Sequence, residues 1–212
     1  MRMRGFVPLM DQQLNALLIN CTLKPSPAES STDVLGAQVL DALAEHGVSG
    51  DSIRAVDHDI RPGVQTDMGD GDQWPSLREQ VLAADILVFA TPTWMGQHSS
   101  VAQRVLERLD AELSETDERG RPILFDKVAL AVVVGNEDGA HHIAAIVFQS
   151  LNDVGFTIPA QGSIYWNGEA MGSTDYKDLP ETPEKVAQTI TTAASNAAHL
   201  ARALKASAYP KA

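Results

Sequence analysis

The sequence is short of cysteine, of basic residues and of long apolar runs, and each shortage removes a class of function. Cys21 is the only cysteine in 212 residues. It excludes an intrachain disulfide and a cysteine-based zinc site, and it fits a reducing compartment. Lysine and arginine total 16 against 28 acidic residues, a formal net charge of −12. Such a chain is repelled by nucleic acid and by anionic membrane surfaces unless its few cations cluster. The densest group, Arg119-Gly120-Arg121, directly follows Glu115, Asp117 and Glu118. No segment approaches the roughly 20 apolar residues that span a bilayer. The stretch 1–13 carries Arg2 and Arg4, but its apolar run is broken by Pro8 and is too short for a secretory signal. These features predict a cytoplasmic protein without nucleic-acid or membrane partners. Residues 1–13 read as a leader, 14–206 as the folded domain and 207–212 as a tail.

Several motifs are also missing. There is no G-x-G-x-x-G, no phosphate loop ending in GK[ST] and no G-x-S-x-G elbow, which argues against a dinucleotide fingerprint, a nucleotide triphosphatase and a serine hydrolase. The acidic run 67–72 lacks the spacing and closing Glu of a calcium loop. Asp57-His58-Asp59 reads as a solvated loop. His141 and His142 are adjacent and cannot share a helix face, so no metal site is expected from them with Glu137 and Asp138.

What is present is an alternation of apolar runs and helix-period segments. Strands are predicted at 16–19, 53–56, 86–90, 128–134 and 157–165, the last interrupted by Pro159 and Gly162. Helices are predicted at 32–45, 74–84, 101–113, 141–153 and 184–206. Ser100 and Gln103 have capping-box spacing, and Asp138 is placed as a helix cap. The segment 57–73 reads as a long loop. Five strands alternating with five helices imply a doubly wound parallel sheet with helices on both faces. Ligands of such sheets bind beyond the carboxyl ends of the strands, so the residues after each strand carry the information.

After the first strand, Thr22, Lys24, Ser30, Ser31 and Thr32 bring hydroxyls and a cation to a helix N-terminus, where an anion meets free N–H groups. The alternative is an ordinary loop with a Ser or Thr cap. After the third strand, Pro92-Thr93-Trp94-Met95-Gly96 offers a stiff exit, a flat apolar wall and a glycine that lets a ligand approach. Trp94 alone would more often be a core cover. After the fourth strand, Asn136-Glu137-Asp138-Gly139 is a polar turn that can aim N–H groups inward. Tyr165 and Trp166, after the last strand, could reach a ligand or cap the core.

Taken together, the three loops resemble those of the flavodoxin-like NAD(P)H-dependent FMN reductases and quinone reductases, over about residues 14 to 206. The Pro-Thr-Trp-Met-Gly segment is the most specific part of the likeness. The resemblance implies a five-stranded parallel sheet in the order 2-1-3-4-5 and a bound FMN. Thr22, Lys24, Ser30, Ser31 and Thr32 would hold the phosphate. Pro92, Thr93, Trp94, Met95 and Gly96 would line the isoalloxazine, and Asn136, Glu137, Asp138 and Gly139 would meet its pyrimidine edge. The first loop departs from the family, with Cys21-Thr22-Leu23-Lys24 where many relatives start Gly-Ser-x-Arg. The implied activity moves reducing equivalents from NAD(P)H through flavin to a small acceptor such as a flavin or quinone, in a homo-oligomer (dimer or tetramer). The cofactor carries the chemistry, so no catalytic acid or base is named. The alternative is a flavodoxin-type electron carrier, for which the acidic surface is suited. A receiver domain is disfavoured, because Asn20 and Thr91 stand where acidic residues are needed.

Overall fold

The computed structural model describes residues 13–170 and 172–211. The expected leader thus lies almost wholly outside the described residues. The elements run β1 (Leu14–Asn20), α1 (Ser31–Ala44), β2 (Val48–Arg54), α2 (Trp74–Ala83), β3 (Ile86–Trp94) and β4 (Gln97–His98). They continue α3 (Ser100–Leu109), β5 (Val128–Gly135), α4 (Ala140–Asp153), β6 (Ser163–Asn167) and α5 (Glu184–Ala206). Five strands pair in parallel in the order β2-β1-β3-β5-β6. Counting only the parallel strands, this is the flavodoxin-like order 2-1-3-4-5. β4 is an addition, a two-residue strand antiparallel to the end of β3.

Pleating sends successive side chains to opposite faces, and both faces are covered. Leu17, Ile19, Leu87, Phe89, Ala131 and Val133 meet α2, α3 and α4 on one side. Leu18, Val88 and Val132 meet Leu35 and Val39 of α1 and Ile190 and Ala197 of α5 on the other. Burial on both sides explains why β1, β3 and β5 read as unbroken apolar runs.

The boundaries differ from the sequence reading where this rule fails. β2 occupies 48–54, with residues 49–52 exposed, and the run expected at 53–56 turns into a 3₁₀ segment at Ala55–Asp57. An edge strand has one neighbour and wet side chains, so its apolar signal fades. The last strand is Ser163–Asn167, and Thr157 makes only an isolated bridge to Val128. Pro159 has no N–H for the ladder, and the chain leaves the sheet there. α3 stops at Leu109 and continues as a 3₁₀ turn over Asp110–Ser114. Its cap is Ser99, whose Oγ accepts the Ala102 N–H at 3.0 Å, while Gln103 donates to Glu107 at 2.9 Å, so the expected 100/103 box does not form. The cap position of α4 is Gly139, and Asp138 only accepts its neighbour's N–H at 2.7 Å.

The expected loop 57–73 is pinned by a buried ion pair. Arg108 of α3 donates to Asp72 Oδ2 at 2.8 Å, and both side chains are 0% exposed. Arg108 also donates to the Arg61 carbonyl at 2.9 Å and the Gln65 carbonyl at 2.8 Å, and it lies 5.5 Å from the centre of the Trp74 ring. Burial pushes the Asp72 carboxyl up. Hydrogen bonds from the Met68 N–H, the Arg108 guanidinium and the Trp74 and Arg61 N–H groups outweigh this and hold it below its ordinary 3.8.

Asp72→Asn is expected to cost about 3–5 kcal/mol, the scale for stranding one partner of a buried pair. Because the folded value is lowered, the carboxylate's contribution is fully present above pH 3.8 and is lost as pH falls through the lower folded value. Urea unfolding of both proteins at about pH 7 and about pH 3 checks this, the stability gap narrowing at the lower pH.

Candidate functional site

Buried Asn20, the last residue of β1, shapes the first loop. Its Oδ1 accepts the Thr22 N–H at 3.0 Å, and its Nδ2 donates to Asp33 Oδ1 at 2.8 Å. Arg54 closes the arc, donating to Asp33 Oδ2 at 2.6 Å and to the Ala28 carbonyl at 2.8 Å. Ser30 caps α1, its Oγ accepting the Asp33 N–H at 3.4 Å. The N–H groups of Ser31 and Thr32 open the helix and have no carbonyl a turn earlier to bond. Cys21 is fully buried, which pushes its thiol far up and leaves it inert.

The second loop is fastened to the first. Ser99 Oγ donates to the Cys21 carbonyl at 2.6 Å, and its N–H donates to Thr91 Oγ1 at 3.1 Å. Trp94 and Gln97 pair across a two-residue turn in which Met95 has φ 53° and Gly96 φ 72°. Two successive positive φ values suit the twist of a tight hairpin. At a methionine this conformation costs roughly 1–3 kcal/mol.

The third loop holds that turn. Glu137 Oε1 accepts the Met95 N–H at 2.8 Å, and Oε2 accepts the Gly96 N–H at 3.1 Å. Gly139 lies against Gly96, where a Cβ would come within 2.8 Å of backbone, so only glycine fits. Asn136 Nδ2 donates to Asp175 Oδ1 at 3.1 Å. The segment beyond β6 then returns to α1. The Lys177 N–H donates to Ser31 Oγ at 3.3 Å, and Tyr176 donates to Gln38 Oε1 at 2.6 Å. Burial pushes the Tyr176 phenol above its ordinary value, so it remains a donor.

These loops enclose a cavity of about 390 Å³, within the usual range for a small-molecule site. Thr22, Lys24, Ser30, Ser31 and Thr32 all line it. So do Pro92, Thr93, Trp94, Asn136 and Glu137. Met95, Gly96, Asp138 and Gly139 are not among the lining residues; Met95, Gly96 and Gly139 build the interlocked turns beside it. Thr93 Oγ1 and Asn136 Oδ1 are buried without a protein partner. Two such atoms on one cavity's lining fit a ligand that supplies its own polar groups. Trp94 is 52% exposed, so it is no core cover. The reading of the loops missed Leu23, Val134, Asp175 and Tyr176, and it left Trp166 undecided. Asp175 and Tyr176 come from an irregular segment whose sequence carries no period to flag it.

A family model for NADPH-dependent FMN reductases matches residues 14–170. The chain belongs to that family. It is 32% identical over 206 residues to the 8-demethyl-8-aminoriboflavin-5'-phosphate synthase of Streptomyces davaonensis, covering 92% of this chain and 80% of that one. A crystal structure of RosB with the bound intermediate 8-demethyl-8-formylriboflavin-5'-phosphate aligns at a TM-score of 0.83 and 32% identity, covering 92% and 82% of the two chains. The apo form of an NADH:FMN oxidoreductase shares the fold at a TM-score of 0.60 and 20% identity, covering 93% and 92%. A Mycobacterium bovis protein named divalent metal cation transporter MntH is 45% identical over 169 residues, which is 78% of this chain and 25% of that one. The chain thus spans a quarter of that relative's length. Among the described residues no helix is long and apolar enough to cross a membrane, and no three potential metal ligands converge.

Truncating Trp94 tests its place at the cavity without any ligand. Trp94→Ala is expected to change the stability of the ligand-free protein by no more than about 0.5 kcal/mol, as for a surface residue. Trp74→Ala, at a fully buried position, is expected to cost about 3–5 kcal/mol. Thermal unfolding of the two variants side by side checks the contrast.

Proposed function

We propose that the chain is an FMN-binding oxidoreductase that draws reducing equivalents from NAD(P)H and delivers them to a small acceptor such as a flavin or quinone. One observation carries this: a single cavity joins a hydroxyl-lined helix N-terminus at one end to the Pro92–Trp94 wall and Asn136 at the other. Thr22, Ser30, Ser31 and Thr32 would hold the phosphate with Lys24 beside it. Pro92, Thr93 and Trp94 would lie along the ring, with Met95 and Gly96 beyond them. Asn136, Glu137, Asp138 and Gly139 would stand at its polar edge. When bound, FMN supplies the hydride chemistry. The residues of the chain bind and orient, and the half-exposed Trp94 leaves a flat apolar surface at the mouth for a second planar molecule. The lone cysteine and the acidic charge support a cytoplasmic setting, and membership of the family supports a homo-oligomer.

A second reading has its own support. The 32% identity to a synthase named for a modified flavin favours a site in which flavin phosphate is the substrate rather than a retained cofactor. Mass spectrometry of the flavin recovered after turnover decides between them: unchanged FMN supports the oxidoreductase, and an altered ring supports the second reading. NAD(P)H oxidation by the purified protein with FMN and a quinone separates an enzyme from an electron carrier.

The phosphate assignment has its own consequence. Hydrogen bonds to a charged group contribute roughly 1.5–3 kcal/mol each, so FMN is expected to bind at least about tenfold more tightly than riboflavin. Calorimetric titration with both flavins checks this, and equal affinities overturn the phosphate site.

A further inference from the structure

We propose that Glu137 is a positioning residue: it fixes the Trp94–Gln97 turn and thereby the pose of Trp94 at the mouth of the cavity. The proposal deepens the flavin reading above and depends on it for its ligand. Three independent observations support it. Both carboxylate oxygens of Glu137 are already engaged, by the N–H groups of Met95 and Gly96 at 2.8 and 3.1 Å. Met95 stands at φ 53°, a conformation that L side chains avoid, and it is 91% exposed. No packing of its own side chain therefore holds it there. β4, the strand that closes the turn, is only two residues long. A pair of charge-assisted hydrogen bonds is the strongest restraint on this turn.

Trp94 is the last residue of β3 and directly precedes the turn. Half of it is exposed, so its direction follows the backbone rather than a packed socket. If the turn relaxes, the flat wall of the cavity relaxes with it. Glu137 lines the cavity, but both of its carboxylate oxygens are taken up by the turn, so its effect on ligand binding runs chiefly through the turn. A glutamine in its place keeps one acceptor oxygen but presents an NH₂ to the second N–H, so one bond and the charge are lost.

The test has a ligand-free arm and an FMN arm. Amide exchange rates of Met95 and Gly96, measured by NMR on the ligand-free protein, are expected to rise at least about tenfold in Glu137→Gln, and unchanged rates overturn the clamp. With FMN as the probe, Glu137→Gln is expected to weaken binding about five- to tenfold. A Met95→Gly background removes the side-chain strain at this positive φ, so less of the turn's conformation depends on the clamp. The same Glu137→Gln change is expected to cost less than about twofold there. An equal loss in both backgrounds overturns the proposal and makes Glu137 a direct ligand contact. If the native protein does not bind FMN, the flavin reading fails and the exchange rates still decide the clamp.

Discussion

A ring of hydrogen bonds around the cavity holds the site together. Asn20 and Arg54 fix the first loop, and Ser99 ties the second loop to it. Glu137 ties the third loop to the second, Asn136 ties the segment beyond β6 to the third, and Lys177 and Tyr176 return that segment to α1. Apart from the local Asn20–Thr22 bond, the links join residues at least 26 positions apart, so they depend on the sheet to bring their loops together. The sheet makes this possible because β1, β3 and β5 lie side by side and run the same way, with Asn20 level with Ala90 and Pro92 level with Val134. Loops that share a direction arrive at one place. A site built this way pays little reorganisation on binding, since its polar groups are already oriented.

Much of this was legible in the residues, and the gaps have physical causes. Strands buried on both faces announce themselves, so β1, β3 and β5 and a parallel sheet follow from apolar runs and alternation, whereas the strand order comes from the family resemblance. β2 does not, because residues 49–52 face water and carry no apolar signal. Hydroxyls at a helix N-terminus and a tryptophan behind a proline are local features that a reading of the residues can pick out, and both line the cavity. Glu137 was expected at the ligand's edge, and that it also clamps a turn 41 residues away is a tertiary fact that no window of sequence contains. Asp175 and Tyr176 escaped notice for the same reason: their segment has no period, and only the return to α1 gives it a place.

The acidic composition acquires a structural meaning. Arg54, Arg78, Arg108, Arg121, Lys177 and Lys205 are each paired with a carboxylate. Six of the 16 cations are therefore committed to ion pairs. Lys24 makes no ion pair among the described residues, and it is the one lysine or arginine lining the cavity. In a chain of net charge −12, an uncommitted cation at that spot gives the hydroxyl-lined end of the cavity a counter-charge for an anion, while the carboxylates Glu137 and Asp175 line the cavity elsewhere.

The last residues of the described chain do not hang free. Tyr209 packs its ring 5.3 Å from that of Phe125, donates its N–H to Asp126 and receives a bond from Arg121 at its carbonyl. Those partners lie just before β5, and Leu14 opens β1 at the same pole, where Lys205 reaches Gln13 and Asp85. The cavity lies at the other pole, beyond the carboxyl ends of the strands. The first and last described residues therefore lie on the face opposite the cavity, and contacts made there leave its opening clear.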